Sequence, residues 1–139
     1  MLDLDYFQAV NDAYGREADN FVLGHISSLI KKSVRRLDIP CRYGGEEFSI
    51  ILPDTTLRQG VRFANRLRLI IENSPAKTSD ALLGIEASFG VDAYVKGDEL
   101  TEKEYIEKVA KKFVTLPLKV RIKAVQLRRS FMQKVLARM

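Results

Sequence analysis

Apolar and acidic residues alternate through MLDLDYF. This period of two predicts a short strand with Leu2 and Leu4 on one face and Asp3 and Asp5 on the other. VNDAYG, made of turn-forming residues, is expected to follow it as a turn. From about Glu17 to Leu37 the spacing becomes helical, with Val22, Ile26, Leu29, Ile30 and Val34 along one face. Lys31, Lys32, Arg35 and Arg36 crowd the end where the helix dipole favours cations, and Pro40 is expected to close the element. CRY and EEFSIIL then read as strands flanking Gly44 and Gly45. That arrangement predicts a two-residue primed turn, which needs the positive φ that glycine adopts cheaply.

PDTTL combines a breaker with a threonine cap, after which Leu57, Val61, Ala64, Leu67 and Ile71 predict a second helix ending near Ser74 and Pro75. GIEASFGVDAYV alternates as a further strand, with Gly90 as a candidate bulge. Thr101 followed by Glu104 is a capping-box pattern and predicts a third helix. Beyond Pro117, Leu118, Ile122, Val125, Met132, Leu136 and Met139 form the apolar face of a basic helix. Strands alternating with helices imply a layered α/β or α+β domain, helices against a sheet.

Composition changes this picture at one place. At 139 residues the chain is one domain's length and needs no disulfide to build a core. Seven of its 23 basic residues and none of its 18 acids lie in 113–139, leaving 16 bases against 18 acids over 1–112. The net charge of +5 therefore belongs to the tail, and the body carries no basic patch of the kind a dedicated nucleic-acid reader needs. The tail's apolar face can dock on the sheet, or the tail can contact membrane or nucleic acid; docking is favoured, because a long exposed apolar stripe is a liability. No apolar run approaches the length of a membrane span and no signal segment follows Met1, so a cytoplasmic location is expected. The lone Cys41 reads as a small buried hydrophobe, and His25 as a surface or boundary residue without a partner motif.

The glycines before Glu46 and Glu47 let a ligand approach the backbone. Alternation places the two glutamates on opposite strand faces, so only one can share a site with Asp3. A pair such as Asp3 and Glu46, brought together from neighbouring strands, would repel unless a hard cation such as Mg²⁺ lay between them. On periodicity alone, a solvated strand end is the favoured reading of these acids. RRLD, Arg35 to Asp38, likewise reads as a basic helix end followed by a turn aspartate.

LDLDYFQAVNDAYG, followed by RLDIPCRYGGEEFSIILPDT, closely resembles the GGDEF domain of bacterial diguanylate cyclases over about residues 1–110. The resemblance implies a central mixed sheet wrapped by helices, related to the palm of nucleotide cyclases and polymerases. It implies condensation of two GTP into cyclic di-GMP with Mg²⁺ (or Mn²⁺), each domain holding one GTP and two domains meeting face to face. By position, Asp3, Glu46 and the Leu4 carbonyl would hold the metal, and Glu47 would be a second ligand or the base. Tyr6 and Phe7 would offer amides to phosphates beside Gly44 and Gly45, and Asn11 and Asn20 would meet guanine. RRLD falls in the register of the family's product-inhibition site, so Arg35 and Asp38, with Arg66 as accessory arginine, would bind cyclic di-GMP. Arg would fork onto one guanine while Asp accepts from another.

Four positions depart from the family pattern. Gln8 stands for a lysine, Arg16 for a histidine, Asp19 for a turn glycine, and Asn20 for the carboxylate that grips guanine. Relatives also have a helix and a longer strand before the first aspartate, and after residue 110 the family's closing pattern is absent. The expected organisation is a GGDEF domain over 1–112, lacking the usual first helix, and a divergent basic helical tail over 113–139. Turnover is expected to be very low, and a catalytically impaired module that binds cyclic di-GMP or GTP is the alternative.

Overall fold

The computed structural model describes residues 1–79 and 81–93 together with Thr101 and Glu104. Its elements, in order, are β1 (Leu2–Leu4), α1 (Phe7–Ser33), β2 (Ile39–Arg42), β3 (Glu47–Ile51), α2 (Leu57–Glu72), β4 (Ala76–Lys77), β5 (Leu82–Leu83) and β6 (Ala87–Phe89). Four strands form one sheet in the order β2-β3-β1-β6, and β4 pairs with β5 in a separate ribbon. Every described pair is antiparallel, so the expected mixed sheet is here an antiparallel one.

Register divides the sheet into two faces. Leu2 lies opposite Phe48 and Phe89, and Leu4 opposite Ala87; all five are buried. They share one core with Val22, Ile26 and Ile30 of α1 and with Ala64, Leu67 and Ile71 of α2. Full burial of a Leu or Ile side chain contributes about 1.5–3 kcal/mol, an upper figure because the unfolded chain is itself partly compact. Asp3, Glu47 and Ser88 are cross-strand neighbours on the other face, which continues through Ser49 and Ile51 to Cys41 and Ile39.

The helices differ from expectation where tertiary contacts outweigh local preference. VNDAYG is not a turn: α1 begins at Phe7 and runs through it, broken only at Gly15 with φ 78° and ψ 179°. Phe7 and Val10, three residues apart, pack on the core, and that burial holds Asn11 and Asp12 in a helix. The helix also ends earlier, at Ser33, because Val34 turns extended and Arg35 to Asp38 form their own turn. Pro40 therefore sits inside β2 opposite Ile50, on an edge strand where a missing N–H is tolerated. In α2 the capping box is Thr56 with Gln59, and Gly60 replaces Val61 on the buried face. A Cβ at Gly60 would come within 3.2 Å of Val91 Cγ1, so close approach to the chain after β6 selects glycine.

Gly90 is no bulge: its amide bonds the Met1 carbonyl (2.9 Å) and its carbonyl accepts from the Met1 amino group (2.8 Å), extending the β1–β6 ladder. Cys41 is exposed on the edge strand, 2.8 Å from Ser49 Oγ, rather than buried. His25 is a boundary residue with its Nε2 2.8 Å from the Ser74 carbonyl. Thr101 and Glu104 make the predicted capping box, side chain to amide in both directions (2.9 and 3.3 Å). The body of the third helix and the basic tail lie outside the described residues. Among the described residues no helix is long and apolar enough to cross a membrane.

Candidate active site

The turn between β2 and β3 is built differently from a primed hairpin. Arg42 pairs with Phe48, and the Tyr43 and Gly44 amides both donate to the Glu47 carbonyl (2.8 and 3.1 Å). The loop proper is then Gly44, Gly45 and Glu46. Neither glycine takes a left-handed φ; among the described residues that conformation belongs to Tyr6, Gly15 and Asp54. What holds the loop is Arg42, whose Nε donates to the Gly44 and Gly45 carbonyls (3.1 and 3.0 Å) and whose Nη2 donates to Gly45 (2.8 Å).

Leaving this loop, the chain sets Glu47 directly opposite Asp3, and both side chains are buried. Only one glutamate shares a face with Asp3, as alternation requires, and that one is Glu47. Glu46 stands one position earlier, half-buried at the rim, with its carbonyl accepting from the Leu4 amide (3.3 Å). On the other side of β1, Ser88 lies opposite Asp3 and its hydroxyl donates to Asp5 Oδ1 (2.9 Å). Among the described residues no three His, Cys, Asp or Glu side chains form a ready metal cluster.

Past Asp5 the backbone reverses at Tyr6 (φ 58°, ψ 24°), which caps α1 without a side-chain hydrogen bond. The left-handed residue starts the first turn of α1 at Phe7, three positions past the end of β1 at Leu4. Uncapped N-terminal amides and the helix dipole together favour an anion. Asn11 and Asn20 are both exposed on α1. Asp19 is half-buried, its Oδ1 shielded from solvent without a hydrogen-bond partner. Burial first, then the Glu46 and Asp12 carboxylates, hold its carboxyl above the ordinary value. The residue within electrostatic reach of the glycine loop is therefore Asp19, next to the predicted Asn20.

The RRLD turn forms a second cluster. The Asp38 amide donates to the Arg35 carbonyl (3.0 Å), and the Asp38 carboxylate folds back onto Arg35. Arg66 reaches the same neighbourhood, donating to the Ser33 carbonyl (3.3 Å) with its guanidinium 5.5 Å from the Phe63 ring centroid. Arg42, Ser88 and Thr55 were not singled out from sequence. Arg42 was findable, since an arginine two residues before a glycine pair can reach its carbonyls. Ser88 and Thr55 meet their partners across 83 and 20 residues, which no local pattern reports.

The family profile described as "Diguanylate cyclase, GGDEF domain" matches residues 1–114. The chain is similar to the response regulator PleD of Caulobacter vibrioides, 38% identical over 95 residues, 67% of this chain and 21% of that protein. It is similar to diguanylate cyclase A of Treponema denticola, 34% identical over 94 residues, 68% of this chain and 25% of that one. Among solved structures, diguanylate cyclase SiaD of Pseudomonas aeruginosa, in complex with its activator SiaC, matches with a TM-score of 0.74 and 28% identity. That match covers 81% of this chain and 43% of SiaD. The chain thus spans between 21% and 25% of the length of these two curated relatives.

Proposed function

Because this chain belongs to the GGDEF family of diguanylate cyclases, we propose that residues 1–112 are a cyclase-type domain that joins two GTP into cyclic di-GMP, with 113–139 a basic tail. In that reaction each ribose 3′-hydroxyl attacks the α-phosphorus of the other GTP, two phosphoester bonds form, and two diphosphates leave. The observation that carries the reading is the buried pair of Asp3 and Glu47 beside the uncapped start of α1.

Two carboxylates facing each other in a buried place are compatible when a cation or proton sits between them. An all-oxygen set of so few protein donors suits Mg²⁺, which keeps much of its water shell. Asp3 and Glu47, with Glu46 at the rim and the Leu4 carbonyl nearby, are the residues that would hold it. When bound, the ion would neutralise charge on the triphosphate and on the departing diphosphate.

The chain's own groups account for the rest. First-turn amides at Phe7 would hold phosphate oxygens, and the Gly44–Gly45 loop, bare of side chains, would let the nucleotide approach. Glu46, half-exposed, would accept the proton of the incoming hydroxyl. Asn11, Asn20 and Asp19, all on α1, would read guanine. One domain holds one GTP, so a second domain must supply the other. GTP, cyclic di-GMP and a transient copy of this domain are the partners of this reading, and its location is cytoplasmic.

Incubation with GTP and Mg²⁺, followed by chromatography, tests it. Product is expected from the wild type, and none from Glu47→Gln or Asp3→Asn. Undiminished product from both variants would sink the assignment. The exposure of Asn20, where the family has a carboxylate, favours a second reading: a module that binds nucleotide with little turnover. Binding of cyclic di-GMP without synthesis, with synthesis rising in Asn20→Asp combined with Gln8→Lys, would select it.

A further inference from the structure

Asp3 and Asp5 lie two positions apart at the same end of the sheet, and their neighbour on β6 treats them differently. Ser88 stands opposite Asp3 in the ladder, yet its single hydroxyl proton goes to Asp5 Oδ1 (2.9 Å). Ser88 is only 1% exposed, so bulk solvent does not compete for that proton. Asp5 is tied to the same segment a second time. Its amide donates to the Glu86 carbonyl (2.9 Å), which carries the β1–β6 ladder one residue past the Leu4–Ala87 pair. Asp5 and Ser88 are therefore diagonal cross-strand neighbours, close enough for a short side chain to span the gap.

This double tie ends where the chain changes direction. Tyr6 reverses the backbone (φ 58°, ψ 24°) and α1 starts at Phe7, so the clasp on Asp5 stands just ahead of the first helical amides. Tyr6 gives that helix end no side-chain hydrogen bond, and its placement is set from before the helix, by Asp5 and β6. We propose that Ser88 and Asp5 are positioning residues: the Ser88 hydroxyl holds the Asp5 carboxylate as an acceptor, which fixes the β1–α1 junction and with it the phosphate-binding amides, and Asp5 takes no part in holding the metal. This rests on the reading of Asp3 and Glu47 as metal ligands and of the start of α1 as the phosphate site. Two aspartates of like charge then have separate tasks, and the serine proton, given to Asp5, sets them apart. A junction ordered before the nucleotide arrives removes that ordering cost from binding.

The test is titration of the full chain with a non-hydrolysable GTP analogue, with and without Mg²⁺. Ser88→Ala and Asp5→Ala are each expected to weaken the analogue by about threefold to tenfold, by the same factor in both buffers. The double variant is expected to lose no more than either single one, because both remove one interaction. Asp5→Asn keeps an oxygen for the serine and is expected to bind within about twofold of wild type. Asp3→Asn, by contrast, is expected to lose affinity only when Mg²⁺ is present. An Asp5→Asn protein as weak as Asp5→Ala, or a loss at Asp5 confined to the Mg²⁺ buffer, would make Asp5 a metal ligand and overturn the proposal. So would additive losses in the double variant, or single variants that bind as tightly as wild type. Should Ser88→Ala fail to fold, Asp5→Ala against Asp5→Asn, at a half-buried position, decides alone. Folded wild-type protein that binds no analogue in either buffer would end the reading of the site itself, and the proposal with it.

Discussion

Asp19 is the residue whose neighbours work against its charge. Its carboxyl lies above the ordinary 3.8 because burial, Glu46 and Asp12 all disfavour ionisation. A carboxyl raised in the folded state contributes stability that is complete below the ordinary value and lost as pH rises towards the folded value. In Mg²⁺-free buffer, Asp19→Asn is therefore expected to melt higher than wild type at neutral pH, with the gain vanishing by about pH 3. A variant that melts lower at neutral pH would mean the carboxylate has a favourable partner. Arg42 has the opposite character. Its three bonds to the glycine carbonyls are solvent-exposed, so Arg42→Ala should lower the melting point little while loosening the loop before Glu46. Product formation reduced with Tm nearly unchanged is the expected signature.

Among the elements, α1 contains two glycines with contrary roles. Gly15 adopts φ 78° and ψ 179°, a region essentially closed to side chains, although a Cβ there would meet nothing within 4 Å. Gly15→Ala should cost about 1–3 kcal/mol from backbone strain alone. Gly24, in the regular part of the helix and equally open, shows no left-handed φ. Gly24→Ala should instead stabilise by about 0.5–1 kcal/mol. Urea melts of the pair test whether the break at residue 15 is required by the fold. In α2, Thr56→Ala removes a capping box and should cost about 1 kcal/mol, while Leu67→Ala, at a fully buried position, should cost about 2–5 kcal/mol.

For the molecule as a whole, the proposed reading gives each domain one nucleotide at Asp3 and Glu47, so synthesis at low protein concentration should be an encounter between two chains. The rate is expected to rise with about the square of concentration; a rate linear in concentration would mean a preformed pair or a different chemistry. Mg²⁺ with a non-hydrolysable GTP analogue should raise Tm, about 2.7 kcal/mol of added stability at a hundredfold excess over Kd. The rise should vanish in Asp3→Asn with Glu47→Gln. An unchanged rise in that double variant would move the metal site elsewhere.

Local chemistry was enough to reveal the strand Leu2–Leu4, the face bearing Asp3, the hairpin strands, the threonine cap of α2 and the Thr101–Glu104 capping box, because each depends on residues a few positions apart. The apolar spacing of α2 and of α1 from Val22 to Ile30 was legible for the same reason. The start of α1 was not: Asn11 and Asp12 locally favour a turn, and the packing of Phe7 and Val10 against the core overrides them. Gly60 could be known as a buried contact only once Val91 was placed beside it. At the site, alternation required that one glutamate face Asp3, but the choice of Glu47 depended on a three-residue loop whose length is set by the β2–β3 register. The RRLD motif marked a place, and packing decided its geometry, because Asp38 is buried against Arg35 and Arg35 is tied to Thr55, partners that adjacency in sequence does not reveal.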